Sequence, residues 1–200
     1  MNLWMSTVFT ELYISTISSS FTFEGDFMVR EIHDTELDDL LKLYLDLHED
    51  TVPEMTEHLK TTWETIIKDN NHHIIVKEVD GKIVSSCVCV IIPNLTRGIR
   101  PYAFIENVVT NEEYRGCGYA TECLNYAKSI AQKENCYKMM LLTGSKKETT
   151  LKFYEGAGYN SCDKTAFIQW LDWYKIPIPV DSTLRRYTYL RYKYRMTAWR

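Results

Sequence analysis

Long apolar runs are missing from this chain. No stretch approaches the roughly 20 apolar residues needed to cross a bilayer as a helix, so no membrane partner is expected. An excess of basic residues is missing too. The 23 Lys and Arg stand against 27 Asp and Glu, a net charge of -4. That balance argues against nucleic acid as the main partner. The six cysteines are scattered, with no C-x-x-C pair and no framework spacing. A structural zinc site and a disulfide scaffold are both excluded on that ground, and a reducing, cytoplasmic setting fits. Residues 1–23 have no basic start, and Ser and Thr interrupt each apolar run, so they do not read as a signal peptide. His72 and His73 are adjacent. In a strand they face opposite ways and cannot share a metal, so no metal site is expected.

What is present points to a packed core. Hydrophobic residues make up 45% and charged residues 25% of 200 residues. One domain with tails fits that length and composition. Residues 102–109 are an apolar run that reads as a buried strand. A polar turn follows at residues 110–113, then Gly116 and Gly118. A helical stripe of Ala120, Leu124, Ala127 and Ala131 comes next. Strand, glycine loop and helix start together put free N–H groups at the positive end of a helix dipole, which suits a phosphate. A dinucleotide loop needs a third small residue where Thr121 stands. A P-loop needs a closing Gly-Lys-Ser/Thr, which is absent. The loop instead reads Arg115-Gly116-Cys117-Gly118-Tyr119-Ala120.

The flanking pattern reads readily. Residues 28–31 are a first strand, preceded by an aromatic, Ser/Thr-rich leader over residues 1–27. Asp34 or Thr35 can cap a helix whose stripe runs Leu37, Leu40, Leu41, Tyr44, Leu45 and His48. Pro53 and Glu54 open a second helix with Met55, Leu59, Trp63, Ile66 and Ile67. Residues 72–79 and 82–92 are strands joined by an Asp80-Gly81 hairpin turn. Cys87 and Cys89 fall on one face and read as small core residues. Residues 137–142 form a further strand. A helix with Leu151, Phe153 and Tyr154 follows, ending at Gly156 and Gly158, and residues 165–171 form a last strand. Residues 172–200 are a basic aromatic tail. Such interleaving can bind RNA or an anionic surface, or be an appended segment without such a role.

The R-x-x-G-x-A loop resembles the acetyl-CoA pyrophosphate loop of the GCN5-related N-acetyltransferase (GNAT) superfamily. Its setting strengthens the likeness. Glu106-Asn107-Val108-Val109 ends the strand before it, and Phe153-Tyr154-x-x-x-Gly-Tyr159 follows a second strand. The resemblance covers residues 28–171. It implies an α/β fold with a mixed, twisted central sheet flanked by helices on both faces. It also implies an enzyme that moves an acetyl group from acetyl-CoA to a primary amine by direct attack. The amine is a small molecule or a peptide, and a homodimer is left open. A non-catalytic acyl-CoA-binding module on the same fold is the alternative.

Residue roles follow from the likeness. Arg115, Gly116, Cys117, Gly118, Tyr119 and Ala120 are expected to bind the pyrophosphate, and Val108 and Val109 to offer main-chain groups to the pantetheine arm like an added strand. Tyr154 is expected to protonate the leaving thiolate, against the plainer reading of a core aromatic. Glu106 is expected to act as base, directly or through water, against a structural or acceptor-binding carboxylate. His48, Glu49 and Trp63 are acceptor-side candidates that can equally be packing residues. Cys117 keeps a ping-pong route formally open, although no Cys-His pair supports one.

Overall fold

A computed structural model describes residues 28–47, 49–169 and 171. The leader, His48 and the basic tail lie outside the described residues. Five strands form one sheet in the order β1-β2-β3-β4-β5. They are β1 (Met28–Glu31), β2 (His72–Val79), β3 (Lys82–Ile92), β4 (Tyr102–Thr110) and β5 (Met139–Leu141). The first three pairings are antiparallel, and β4 pairs with β5 in parallel. The sheet is therefore mixed. The β2–β3 hairpin turns on Asp80 (φ 51°) and Gly81 (φ 74°). Two left-handed residues in sequence match the right-handed twist of the strands they join.

Helices cover both faces. Alternation along β2 and β3 sends Ile75, Cys87, Cys89 and Ile91 to one side. There they meet Cys123, Leu124, Ala127 and Ala131 of α3 (Tyr119–Lys133). Ile74, Val76 and Val88 point the other way. They meet Leu40 of α1 (Leu37–Tyr44) and Trp63 of α2 (Glu57–Lys68). Cys87 and Cys89 are fully buried, as small core residues should be. The last helix, α4 (Glu148–Gly156), sends Phe153 and Tyr154 against the α3 side of the sheet.

Several boundaries differ from the sequence reading, for local reasons. The stripe that reads as helix to His48 is helical only to Tyr44. Residues 45–47 then close into tighter turns, with each N–H bonded to the carbonyl three residues back. The second helix begins at Glu57 rather than Pro53, because the Thr56 hydroxyl caps it by accepting the Leu59 N–H at 3.2 Å. The strand expected over residues 137–142 narrows to Met139–Leu141. No strand forms over residues 165–169, which belong to a second unit beginning at Cys162.

One buried-edge cluster seats α1. Arg30 on β1 donates to both Glu36 oxygens, at 2.8 and 2.6 Å, and also bonds Glu78 on β2. Glu36 in turn accepts the His33 N–H at 2.7 Å. The turn into α1 is thus fastened to two strands. Its hydrogen bond from Arg30 holds the Glu36 carboxyl below its ordinary range.

Candidate active site

Strand β4 outruns its neighbour. Strand β5 pairs only with Ala103, Phe104 and Ile105. Residues 106–110 therefore have no β5 partner on that edge, and a cleft of about 650 Å3 opens there. Its walls include Val108 and Val109 from β4, Arg115, Gly116, Gly118, Tyr119 and Ala120 from the loop and α3, and Phe153 and Tyr154 from α4. An unpaired strand edge in a cleft is the surface to which an extended, amide-containing chain can add.

A bulge sits in the same stretch. Ser86 pairs with Val109, but Val88 pairs with Glu106, so β4 carries one residue more than β3 between those points. Asn107 takes φ 50°, a left-handed conformation that asparagine tolerates better than most. The extra residue changes the facing of the strand. Ile105 and Val108 both pack on the α3 side, which plain alternation forbids for residues three apart. Glu106 and Asn107 face a second cavity of about 400 Å3, between the sheet and helices α1 and α2. Consecutive residues of one strand thus serve two cavities.

The far end of the first cleft is the start of α3. Gly118 (φ 85°) is its N-cap, and Gly116 (φ 83°) precedes it. A side chain at either position would force a strained backbone, and it would stand where the loop faces the cleft. The first-turn N–H groups of α3 have no partner within the helix and carry its positive dipole end. Arg115 is partly committed already. Its Nε donates to the Thr110 carbonyl at 3.2 Å, and its Nη2 lies 3.4 Å from Asp46 Oδ1. Asp46 also accepts from the Glu112 N–H at 3.2 Å and from Asn111 Nδ2 at 2.9 Å. One carboxylate just past α1 therefore holds the glycine loop at three points.

Tyr154 is half-buried, its ring tilted against Phe153 (centroids 4.8 Å) and edge-on to Tyr159 (6.1 Å). Burial, then the Cys87 and Glu106 groups, push its phenol above the ordinary value of 10. Glu106 is raised as well, by partial burial, against a hydrogen bond from the Asn107 backbone. The side chain still reaches solvent, so its desolvation is incomplete. Tyr44 hydrogen-bonds Asn107, and burial pushes the Tyr44 phenol up to about 12.

Seven of the eight residues expected to bind CoA line one cleft together with Tyr154, and Glu106 lines the neighbouring cavity. Cys117 lies on the same loop as an exposed thiol, outside the lining set. Trp63 lines the second cavity and also packs structurally, its indole N–H donating to the Asp34 carbonyl at 2.8 Å. Glu49 is exposed and lines neither cavity. Thr149 and Thr150 also line the first cleft, and neither they nor Tyr44, Asp46 and Asn107 were legible as site residues. Tyr44 looks like any stripe residue. Asp46 acts through the loop's hydrogen bonds, across a separation of 65 to 69 residues.

A free strand edge thus leads to a glycine-capped helix, with a second cavity on the opposite side of the sheet. Residues 37–159 match the profile of the Acetyltransferase (GNAT) family, and the chain belongs to that family. Among its relatives, the glucosamine 6-phosphate N-acetyltransferase of Trypanosoma brucei brucei is 34% identical over 84 residues, 42% of this chain and 55% of that protein. An uncharacterized N-acetyltransferase of Methanocaldococcus jannaschii is 26% identical over 152 residues, 72% of this chain and 65% of that protein. The chain thus spans between half and two thirds of the length of these curated relatives. A solved structure from Agrobacterium tumefaciens strain C58, of a protein proposed to be an acetyltransferase, superposes with a TM-score of 0.66 at 36% identity. That match covers 72% of this chain and 99% of the other.

Proposed function

We propose that the chain transfers an acetyl group from acetyl-CoA to a primary amine by direct attack. One observation carries the reading: the bulge in β4 sets Glu106 in one cavity and Val108 in the other, with Tyr154 across the cleft. Thioester and amine can then meet through the strand edge, each held by its own pocket, which supplies the proximity such a reaction needs.

The roles are these. Main-chain N–H groups of residues 115–120 bind the pyrophosphate. The free edge at Val108 and Val109 binds the pantetheine arm, and an N–H near Val108 stabilises the oxyanion. Glu106 takes a proton from the acceptor's ammonium, directly or through water, and the neutral amine so formed attacks the thioester carbonyl. Its raised pKa brings it closer to the working range of a base. Tyr154 gives a proton to the departing thiolate; its own raised pKa keeps it protonated for that step. Acetyl-CoA supplies the activated acyl group and the thiolate leaving group. All six cysteines are free thiols, which supports a reducing, cytoplasmic setting.

Thiol release from acetyl-CoA, followed against a panel of primary amines, tests the reading. Amine-dependent release with an acetylated product is the expected outcome. Saturable CoA binding with no turnover on any amine would make the chain a non-catalytic acyl-CoA-binding module instead.

A further inference from the structure

The cavity beside Glu106 has a composition that selects among amines. Its walls are mostly hydrocarbon and aromatic: Leu40, Trp63, Ile66, Ile74, Val88 and Val90 are representative. Among the described residues Glu106 is its one carboxylate, and no Lys or Arg lines it. His72 is also there, but burial lowers its pKa, so at neutral pH it brings no positive charge. The remaining polar groups are the Tyr44 and Thr62 hydroxyls and Asn107.

From this we infer that the acceptor is a monoamine with an apolar, preferably aromatic, body. The inference rests on the acetyl-transfer reading and adds the substrate class to it.

Three comparisons of chemistry support the choice. A sugar phosphate brings a dianion that must shed water, and these walls offer no cation to receive it. A polycationic aminoglycoside brings several ammonium groups, and only one carboxylate awaits them. It also brings many hydroxyls, more than Tyr44, Thr62, His72 and Asn107 can partner. A monoamine with a phenyl or branched alkyl body leaves nothing unpaired. Its ammonium meets Glu106, and its ring lies against Trp63 and the β3 valines. Burying such a body favours it over a fully polar amine by about 10- to 100-fold. The cavity's 400 Å3 falls in the usual range for small-molecule sites.

The test uses the full chain saturated with acetyl-CoA. Rates of thiol release are compared for 2-phenylethylamine, ethylamine, glucosamine 6-phosphate and an aminoglycoside. Calorimetry with 2-phenylethylamine on the CoA complex runs alongside. We expect kcat/KM for 2-phenylethylamine to exceed that for glucosamine 6-phosphate by about 10-fold or more. Val90→Phe places a ring where the substrate's ring would lie. It should cut the phenylethylamine rate at least tenfold more than it cuts the ethylamine rate; Leu41→Phe on α1 serves if that variant does not fold. A preference for the phosphosugar or the aminoglycoside overturns the inference and leaves acetyl transfer standing. Saturable phenylethylamine binding that Val90→Phe abolishes, without turnover of any amine, upholds the apolar pocket and overturns acetyl transfer. The absence of both binding and turnover of phenylethylamine overturns the inference outright.

Discussion

Replacing Tyr154 by Phe separates chemistry from architecture. The ring remains against Phe153 and Tyr159, so the packing that seats α4 is kept. Among the described residues no hydrogen bond engages the Tyr154 hydroxyl, so removing it leaves no orphaned partner there. Stability should therefore change by less than about 0.5 kcal/mol. The rate should change much more. Burial, Cys87 and Glu106 all move the phenol pKa upward from 10. The hydroxyl is then protonated throughout the working pH range, ready to donate when charge develops on sulfur. Losing a general acid slows the chemical step by about 10²-fold or more. Acetyl-CoA affinity should barely move, because the hydroxyl matters mainly in the transition state. Single-turnover acetyl transfer and a melting curve on the same variant read both quantities. An unchanged rate, with chemistry shown to be rate-limiting, would refute the acid role. A loss of about 1–3 kcal/mol in stability with the rate intact would mark the hydroxyl as a structural partner instead.

Other perturbations test the remaining parts. Gly118→Asp adds a side chain at φ 85° and a negative charge at the α3 N-terminus, so CoA binding measured by calorimetry should weaken severely in the folded variant. Near-normal affinity would remove the loop from the pyrophosphate site. Asp46→Ala releases the loop from three donors, so the Kd for CoA should rise about 5- to 10-fold, the worth of roughly one lost hydrogen bond. An unchanged Kd would show the loop to be ordered without it. Glu106 holds its proton to higher pH than an ordinary carboxyl, so base-dependent activity should rise with pH through a limb above 4.5. Glu106→Gln should lower the rate and flatten that limb; an unchanged profile would assign the limb to another group. Glu36 behaves in the opposite sense. Its folded pKa lies below 4.5, so its pairing with Arg30 stabilises above 4.5 and is lost as pH falls through the folded value. In Glu36→Gln that part of the acid-induced loss of stability should disappear.

Much of this arrangement could be read from one sequence, because periodicity and turn chemistry report local structure. The apolar run ending in Val108 and Val109, the two glycines and the Ala-Leu stripe of α3 were each a local signal. The structure places them as strand, loop and helix in that order. Helix ends were read less well. Pro53 looked like a first-turn residue, yet the Thr56 hydroxyl outcompetes it as the start. The bulge at Asn107 was invisible, since an extra residue shows only against a partner strand. Asp46 was invisible for a similar reason, its partners being distant in sequence. Glu106 was expected among apolar neighbours. Ordinary alternation from Ile105 turns it to the second cavity, and the bulge then turns Val108 to the first.

In the proposed reaction, two pockets meeting across β4 bring a thioester to an amine. Single-turnover mixing of the full chain, preloaded with acetyl-CoA, against a primary amine tests this most directly. Thiol release and product mass are followed together. One acetylated amine per thiol released, no acetyl group left on the protein, and loss of the signal in the Gly118→Asp variant are expected. Thiol release independent of amine, or an acetyl group retained on a cysteine such as Cys117, would contradict that reaction.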